Sequence, residues 1–255
     1  MDYPEGSNTE EEFSQLQNKL IPKIKLQNAF LLSEINFISG VDLAYWKSGS
    51  QEFAVCCILT IDYKTKKIVE IKHYWDRVQV PYIAGYLSFR ELPIILETYK
   101  LLDVPPDLVI FDGNGYLHYR HMGIATHASF YLNKPTIGVA KSYLKIENVD
   151  YVMPENQAGS YTDIIVNGEI YGRVLRTHKN VKPIFVSAGN WIDLDASTKI
   201  VLDLVDQNSR QPIPIRLADI ETKKMRRILC PKGGKTPNKD SITFPVEAPL
   251  EAEKP

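Results

Sequence analysis

Four carboxylates stand where an acid is locally expensive. Asp42 interrupts a strand-like run at residues 37–45, and Asp112 ends a fully apolar run at 108–111. Ionised carboxylates beside a packed sheet need a partner, and a divalent cation is one. If the two runs are neighbouring strands, both carboxylates point at one spot at the sheet edge. Oxygen-only donors at a partly open site favour Mg²⁺ or Mn²⁺ over Zn²⁺. The plainer assignment pairs Asp42 with a base and lets Asp112 cap the Gly-Asn-Gly turn after it. Glu91, in Ser88-Phe-Arg-Glu, either reaches back to Ser88 in a capping box or faces a cleft from a helix that starts nearer Leu92, because Pro93 removes a backbone donor. Asp219, in Arg216-Leu-Ala-Asp, reads by itself as a solvated helix acid.

His118 and Lys141 follow two apolar runs closely, at the same sheet end as Asp112. They are either surface residues or groups placed where a phosphate would approach bound metal. Pro81-Tyr-Ile-Ala-Gly-Tyr is a loop with two aromatics just before Glu91. Tyr82 there is either a packed loop aromatic or a wedge for a base stack. Lys223, Lys224, Arg226 and Arg227 form the one dense basic cluster, either a solvated face or a phosphate contact. P-loop, dinucleotide and nucleophile-elbow patterns are absent. Cys56, Cys57 and Cys230 have no metal-ligand spacing and read as free thiols.

These residues need elements to hold them. Residues 8–28 read as an amphipathic helix carrying Phe13, Leu16, Leu20 and Ile24. Strand-like runs follow at 37–45, 53–62 and 67–75, the last two joined by a short polar link that suits a hairpin. A helix runs to about Leu102, and Pro105-Pro106 stops it. The unbroken apolar run 108–111 suits a strand buried on both faces. A helix from about His121 to Leu132 leads to a second such strand, 136–140, which implies a parallel pair with a right-handed crossover. Residues 162–178 read as a hairpin around Asn167-Gly168. A strand at 184–187 and helices near 195–207 and 214–230 complete one domain, residues 1–230, and residues 231–255 read as a disordered tail. The expected architecture is α/β: a mixed five-stranded sheet, three antiparallel strands then two parallel, flanked by helices, with an added hairpin.

The 255 residues carry 30 Lys+Arg against 31 Asp+Glu, a net charge of −1 that gives no global field for nucleic acid. A hydrophobic share of 44% and a charged share of 24% exclude wholesale disorder and a disulfide scaffold. The longest largely apolar run, residues 53–61, is far short of the ~20 residues of a membrane span. The N-terminus lacks the basic and apolar regions of a signal peptide, so a cytoplasmic protein is expected.

Taken together, Gly-Val-Asp-Leu-Ala-Tyr at 40–45, the run 80–93, Asp-Gly-Asn-Gly-Tyr-Leu-His at 112–118, Gly-Ile-Ala-Thr-His at 123–127, Pro-Thr-Ile-Gly-Val-Ala-Lys-Ser at 135–142 and Pro-Ile-Arg-Leu-Ala-Asp at 214–219 resemble the endonuclease V family. The resemblance implies a ribonuclease H-like fold and a repair enzyme for DNA containing deoxyinosine. Such an enzyme cuts the second phosphodiester bond 3′ to the lesion by Mg²⁺-assisted in-line attack of water, with Mn²⁺ as a substitute, and leaves 3′-hydroxyl and 5′-phosphate ends. Inosine-containing RNA is the alternative substrate, and a monomer is expected. By motif position, Asp42 and Asp112 look like the metal-binding aspartates, Glu91 a third essential acid and Asp219 a further acid at the metal. In the expected mechanism the attacking water is either bound to that metal or activated at a second, transient site near Glu91 and Asp219. Tyr82 looks like the strand-separating wedge, and His118 and Lys141 like holders of the scissile phosphate. Gly85, Leu87, Gly113, Gly123 and Ala140 look like the pocket for the displaced base. The sequence departs from the family pattern at Asn114 and at Ser187-Ala-Gly-Asn190, both expected near the site.

Overall fold

The computed structural model describes residues 9–230. The chain starts with α1 (Glu10–Leu20), opened by a capping box between Thr9 and Glu12. The helix expected over 8–28 ends at Leu20, because Pro22 cannot continue it and the chain tightens into a 3₁₀ turn, Ile21–Lys23. Strands β1 (Phe37–Ser48), β2 (Gln51–Asp62) and β3 (Ile68–Arg77) form an antiparallel meander. Helix α2 (Leu87–Tyr99) leads to β4 (Leu108–Asp112), and α3 (Ile124–Leu132) crosses to β5 (Thr136–Ala140). The hairpin β6 (Tyr161–Val166) and β7 (Glu169–Leu175) turns at Asn167 and Gly168, both at positive φ. Then come β8 (Ile184–Asn190), α4 (Leu194–Asp203) and α5 (Ile213–Leu229).

All eight strands join one sheet, in the order β3-β2-β1-β4-β5-β8-β7-β6. The expected five strands are its first part, with β1, β4 and β5 parallel to one another. The sheet is larger than expected because β8 pairs antiparallel with β5 and carries the hairpin as a continuation. That pairing joins residues about fifty apart in sequence, and no local pattern encodes it.

Two apolar layers pack the sheet. Val41, Val109 and Phe111 face α2 and α3 with Leu92, Ile95 and Ala125. Ile38, Leu108 and Ile110 face the other side, with Ile215 and Ala218 of α5. Helix α5 lies directly on β1 at Gly40, where a Cβ would strike the Pro214 backbone. Close approach here fixes which residues of α5 stand over the strand's end. Cys56 and Cys57 are buried free thiols, and Cys230 is free and partly exposed. Residues 231–255, expected as a disordered tail, lie outside the described residues. Among the described residues, no helix is long and apolar enough to cross a membrane.

Candidate active site

The parallel register puts Val41 beside Phe111, so the next residues, Asp42 within β1 and Asp112 at the end of β4, lie side by side where the pairing of the two strands stops. Alternation along each strand turns both away from the α2 layer and toward α5. From α5, Asp219 descends onto the pair. Carboxylate oxygens of Asp42, Asp112 and Asp219 all lie within 4.8 Å of one another. Asp219 is therefore no solvated helix acid, and it belongs to the same cluster as the two strand aspartates. Burial, with the Asp112 and Asp219 charges adding to it, pushes the Asp42 carboxyl up to about 6, although the Thr222 hydroxyl 2.8 Å away favours its charged form. A crowded set of hard oxygen donors suits Mg²⁺ or Mn²⁺, and a divalent cation would relieve the repulsion.

Two lysines lean on this cluster. Lys141, just past β5, holds its Nζ 2.6 Å from Asp112 Oδ2 and 3.7 Å from Asp219 Oδ1. Burial works against its charge, but Asp112, Asp219 and Asp42 offset that and keep its pKa above the ordinary value. Lys223 pairs with Asp219 Oδ2 at 2.6 Å. In the basic cluster of α5, Lys223 and Lys224 thus carry ion pairs. Arg226 and Arg227 stand exposed in the helix's last turn, where a cation complements the helix dipole.

Glu91 is not in the three-aspartate group. It comes from α2, on the opposite face of the sheet from α5, yet the charges of Asp42 and Asp112 reach it. Nor is it part of a capping box: α2 begins at Leu87, and the Ser88 hydroxyl instead meets His127 Nδ1 at 2.6 Å. The Tyr45 hydroxyl donates to Glu91 Oε1 at 2.6 Å. Burial, joined by the charges of Asp42 and Asp112, raises the Glu91 carboxyl to about 7.

His118 is buried, and its Nδ1 accepts from the Arg120 backbone N–H at 3.1 Å. Burial, with Arg120 and His121 adding to it, lowers its pKa to about 3. It is a neutral imidazole whose Nε2 carries the proton. Tyr82 is 69% exposed, the most exposed aromatic of the described residues. Gly85, two residues before Leu87, has φ +84° and no room for a side chain, since the Tyr119 hydroxyl fills that space. Gly123 packs against the backbone of Asn114 and Gly115, and Gly113 against the Ile124 side chain. These two glycines thus serve close packing of the loop that follows Asp112. Ala140 is buried at the end of β5.

Asn190 is not near the site. Its partner in the sheet is Thr136, at the opposite end of β5 from Ala140. Its side chain accepts from Lys25 N at 2.8 Å and donates to Ser129 at 3.1 Å, tying the N-terminal segment to the core. Tyr45 and Thr222 escaped the sequence reading. Each touches a site carboxylate, and a hydroxyl opposite an acid across the fold leaves no mark on local spacing.

Neighbouring carboxylates on adjacent parallel strands of a mixed sheet, with a helix closing over them, define a ribonuclease H-like nuclease. The family model described as Endonuclease V matches residues 18–220, and the chain belongs to that family. An Endonuclease V from Bacillus thuringiensis subsp. konkukian is 63% identical over 219 residues, covering 86% of this chain and 93% of the relative. The crystal structure of Endonuclease V from Bacillus subtilis superposes with a TM-score of 0.86 at 52% identity, over 89% of this chain and 95% of that one. Endonuclease V of Ciona intestinalis matches with a TM-score of 0.77 at 30% identity, over 86% of this chain and 97% of that one. Its crystal structure is a complex with a 24mer DNA containing an inosine followed by a ribo-adenosine. The chain is a metal-dependent endonuclease.

Proposed function

We propose that this endonuclease repairs DNA containing deoxyinosine, cutting the second phosphodiester bond 3′ to the lesion and leaving 3′-hydroxyl and 5′-phosphate ends. The observation that carries the reading is the cluster of Asp42, Asp112 and Asp219, within 4.8 Å, in a member of this family. The inosine in the DNA bound by the Ciona relative supports the substrate. Asp42, Asp112 and Asp219 would hold Mg²⁺, or Mn²⁺ in its place. When bound, the cation supplies Lewis-acid polarisation of the phosphate and neutralises charge on the leaving oxygen.

The chain's own groups do the rest. Lys141, released from Asp112 by the phosphate, holds a non-bridging oxygen and stabilises the charge that develops there. His118 donates its Nε2–H to the phosphate and orients it. With Nδ1 occupied and a pKa near 3, it does not relay protons at neutral pH. Glu91, with a pKa near 7, takes the proton of the attacking water while Tyr45 holds its other side. Tyr82 fills the gap left by the displaced base, which Gly85, Leu87, Gly113, Gly123 and Ala140 surround. The working unit is a monomer.

A second reading keeps the site and changes the polymer to inosine-containing RNA; the ribo-adenosine in the Ciona complex favours it. The test uses 5′-labelled duplex DNA with one deoxyinosine beside a matched inosine RNA, each with Mg²⁺ or with chelator. A metal-dependent nick at the second 3′ bond of the DNA is the expected result. Preferential cutting of the RNA would replace the substrate, and no cutting with any divalent metal would overturn the proposal.

A further inference from the structure

The loop before α2 is held at its start by Arg90, whose Nη1 donates to the Val80 carbonyl at 3.1 Å, and along its length by packing of Val80, Ile83 and Tyr86 on Phe13 and Phe89. Its end is held by one arginine and one buried glutamine. Arg120 Nη2 donates to the Gly85 carbonyl at 2.8 Å, and its Nε donates to Gln17 Oε1 at 2.7 Å. Gln17, fully buried on α1, sends its own Nε2 to the same carbonyl at 3.4 Å. The guanidinium is stacked 4.1 Å from the Tyr86 ring and 5.0 Å from the Tyr119 ring. Phe13, one turn before Gln17, stacks on Phe89 of α2 at 4.0 Å. Both ends of this clamp face chemistry. Gly85 closes the loop that carries the exposed Tyr82, and the Arg120 backbone N–H fixes the His118 ring. Tyr119, between them, stacks on His118 at 4.3 Å while its hydroxyl covers Gly85.

We infer that Arg120 and Gln17 are positioning residues that set the Tyr82 loop against the His118 side of the site. Base displacement and phosphate placement are thereby delivered in one fixed geometry. The Gly85 carbonyl, at a positive-φ residue, receives its side-chain hydrogen bonds from these two residues, so the clamp sets the orientation of the loop's end. Arginine suits the task because its rigid fork serves Gln17 and Gly85 at once, whereas a lysine offers one point charge. The inference rests on the reading of Tyr82 as a wedge. It adds that α1, which lies mostly before the region matched by the family, is part of the recognition apparatus.

The test compares single-turnover cleavage of a duplex inosine substrate with the same duplex carrying the inosine in a mismatched bubble, where little unstacking remains to be done. Arg120→Met should lower duplex cleavage by ~10–100-fold, the scale of a small misplacement, and bubble cleavage by less than ~3-fold. Gln17→Met, which leaves Arg120 its own bond to Gly85, should show the same selectivity at smaller size, and Arg120→Lys should restore only part of the loss. Equal losses on both substrates would mean that the residues merely support the fold, and would overturn the inference; so would no loss on either. Tyr82→Ala separates the two readings. If it is duplex-selective and the clamp variants are not, only the positioning inference fails. If Tyr82→Ala is itself unselective, the wedge reading fails and takes the inference with it.

Discussion

The two halves of the site are positioned by different means. Asp42 stands within β1 just past its last pair with β4, Asp112 at the end of β4 and Lys141 just past β5, so sheet register sets their spacing, and residues 38–41, 108–111 and 136–140 behind them are buried. Tyr82 stands on a loop held by packing of Val80, Ile83 and Tyr86 and by side-chain bonds from Arg90, Gln17 and Arg120. Strand ends give sub-ångström placement to groups that must meet a cation. A clamped loop carries the aromatic that is proposed to enter the duplex. In the proposed division of roles, chemistry is on the sheet and recognition on the loop.

The largest effect should come from the rigid half. Asp42→Ala or Asp112→Ala should abolish cleavage, a loss of at least ~10³-fold, while gel-shift binding of inosine DNA persists through the loop half. Loss of binding in parallel with cleavage would break the division. Gly40→Ala comes next. The added Cβ meets the Pro214 backbone and should push α5, and Asp219 with it, off β1. Overpacking of this kind costs about 1–3 kcal/mol, read as a lowered urea midpoint accompanied by weakened metal affinity.

A pH effect sharpens the comparison further. The carboxyls of Asp42, at about 6, and Glu91, at about 7, lie above their ordinary values of 3.8 and 4.5. Between about pH 4 and 7 the folded metal-free protein binds more protons than the unfolded chain, so its stability falls as pH rises through that window. Asp42 accounts for on the order of 3 kcal/mol of this. Differential scanning calorimetry with chelator should show Tm falling from pH 5 to pH 8, with a shallower slope in Asp42→Asn and relief on adding Mn²⁺. The smallest effect belongs to Asn190→Ala, which should lower Tm by several degrees and leave kcat near wild type, since the side chain ties the N-terminal segment to α3 far from the acids.

Much of the rigid half was legible in the sequence. Asp42 and Asp112 stood out because an acid in an apolar strand is costly, and β4, β5 and the Asn167-Gly168 hairpin followed from local pattern. By its own spacing Asp219 reads as any helix acid; the motif likeness points to the metal, and the seating of α5 on Gly40 shows how it gets there. The eight-stranded sheet was not legible, because β8 meets β5 across a long separation. By its own spacing Glu91 reads as either a cap or a cleft acid, and the structure excludes the cap, since the Ser88 hydroxyl is taken by His127. The loop half was the least legible. Gln17 and Arg120 act through distant bonds to one carbonyl, and neither has a spacing that marks it.

The most direct measurement is a calorimetric titration of Mn²⁺ into the full chain and into Asp42→Asn, Asp112→Asn and Asp219→Asn at pH 7.5. Saturable binding in the wild-type chain that each substitution weakens by at least ~10-fold would match three carboxylates sharing one cation. Undiminished binding in all three variants would contradict a metal site where β1 and β4 part.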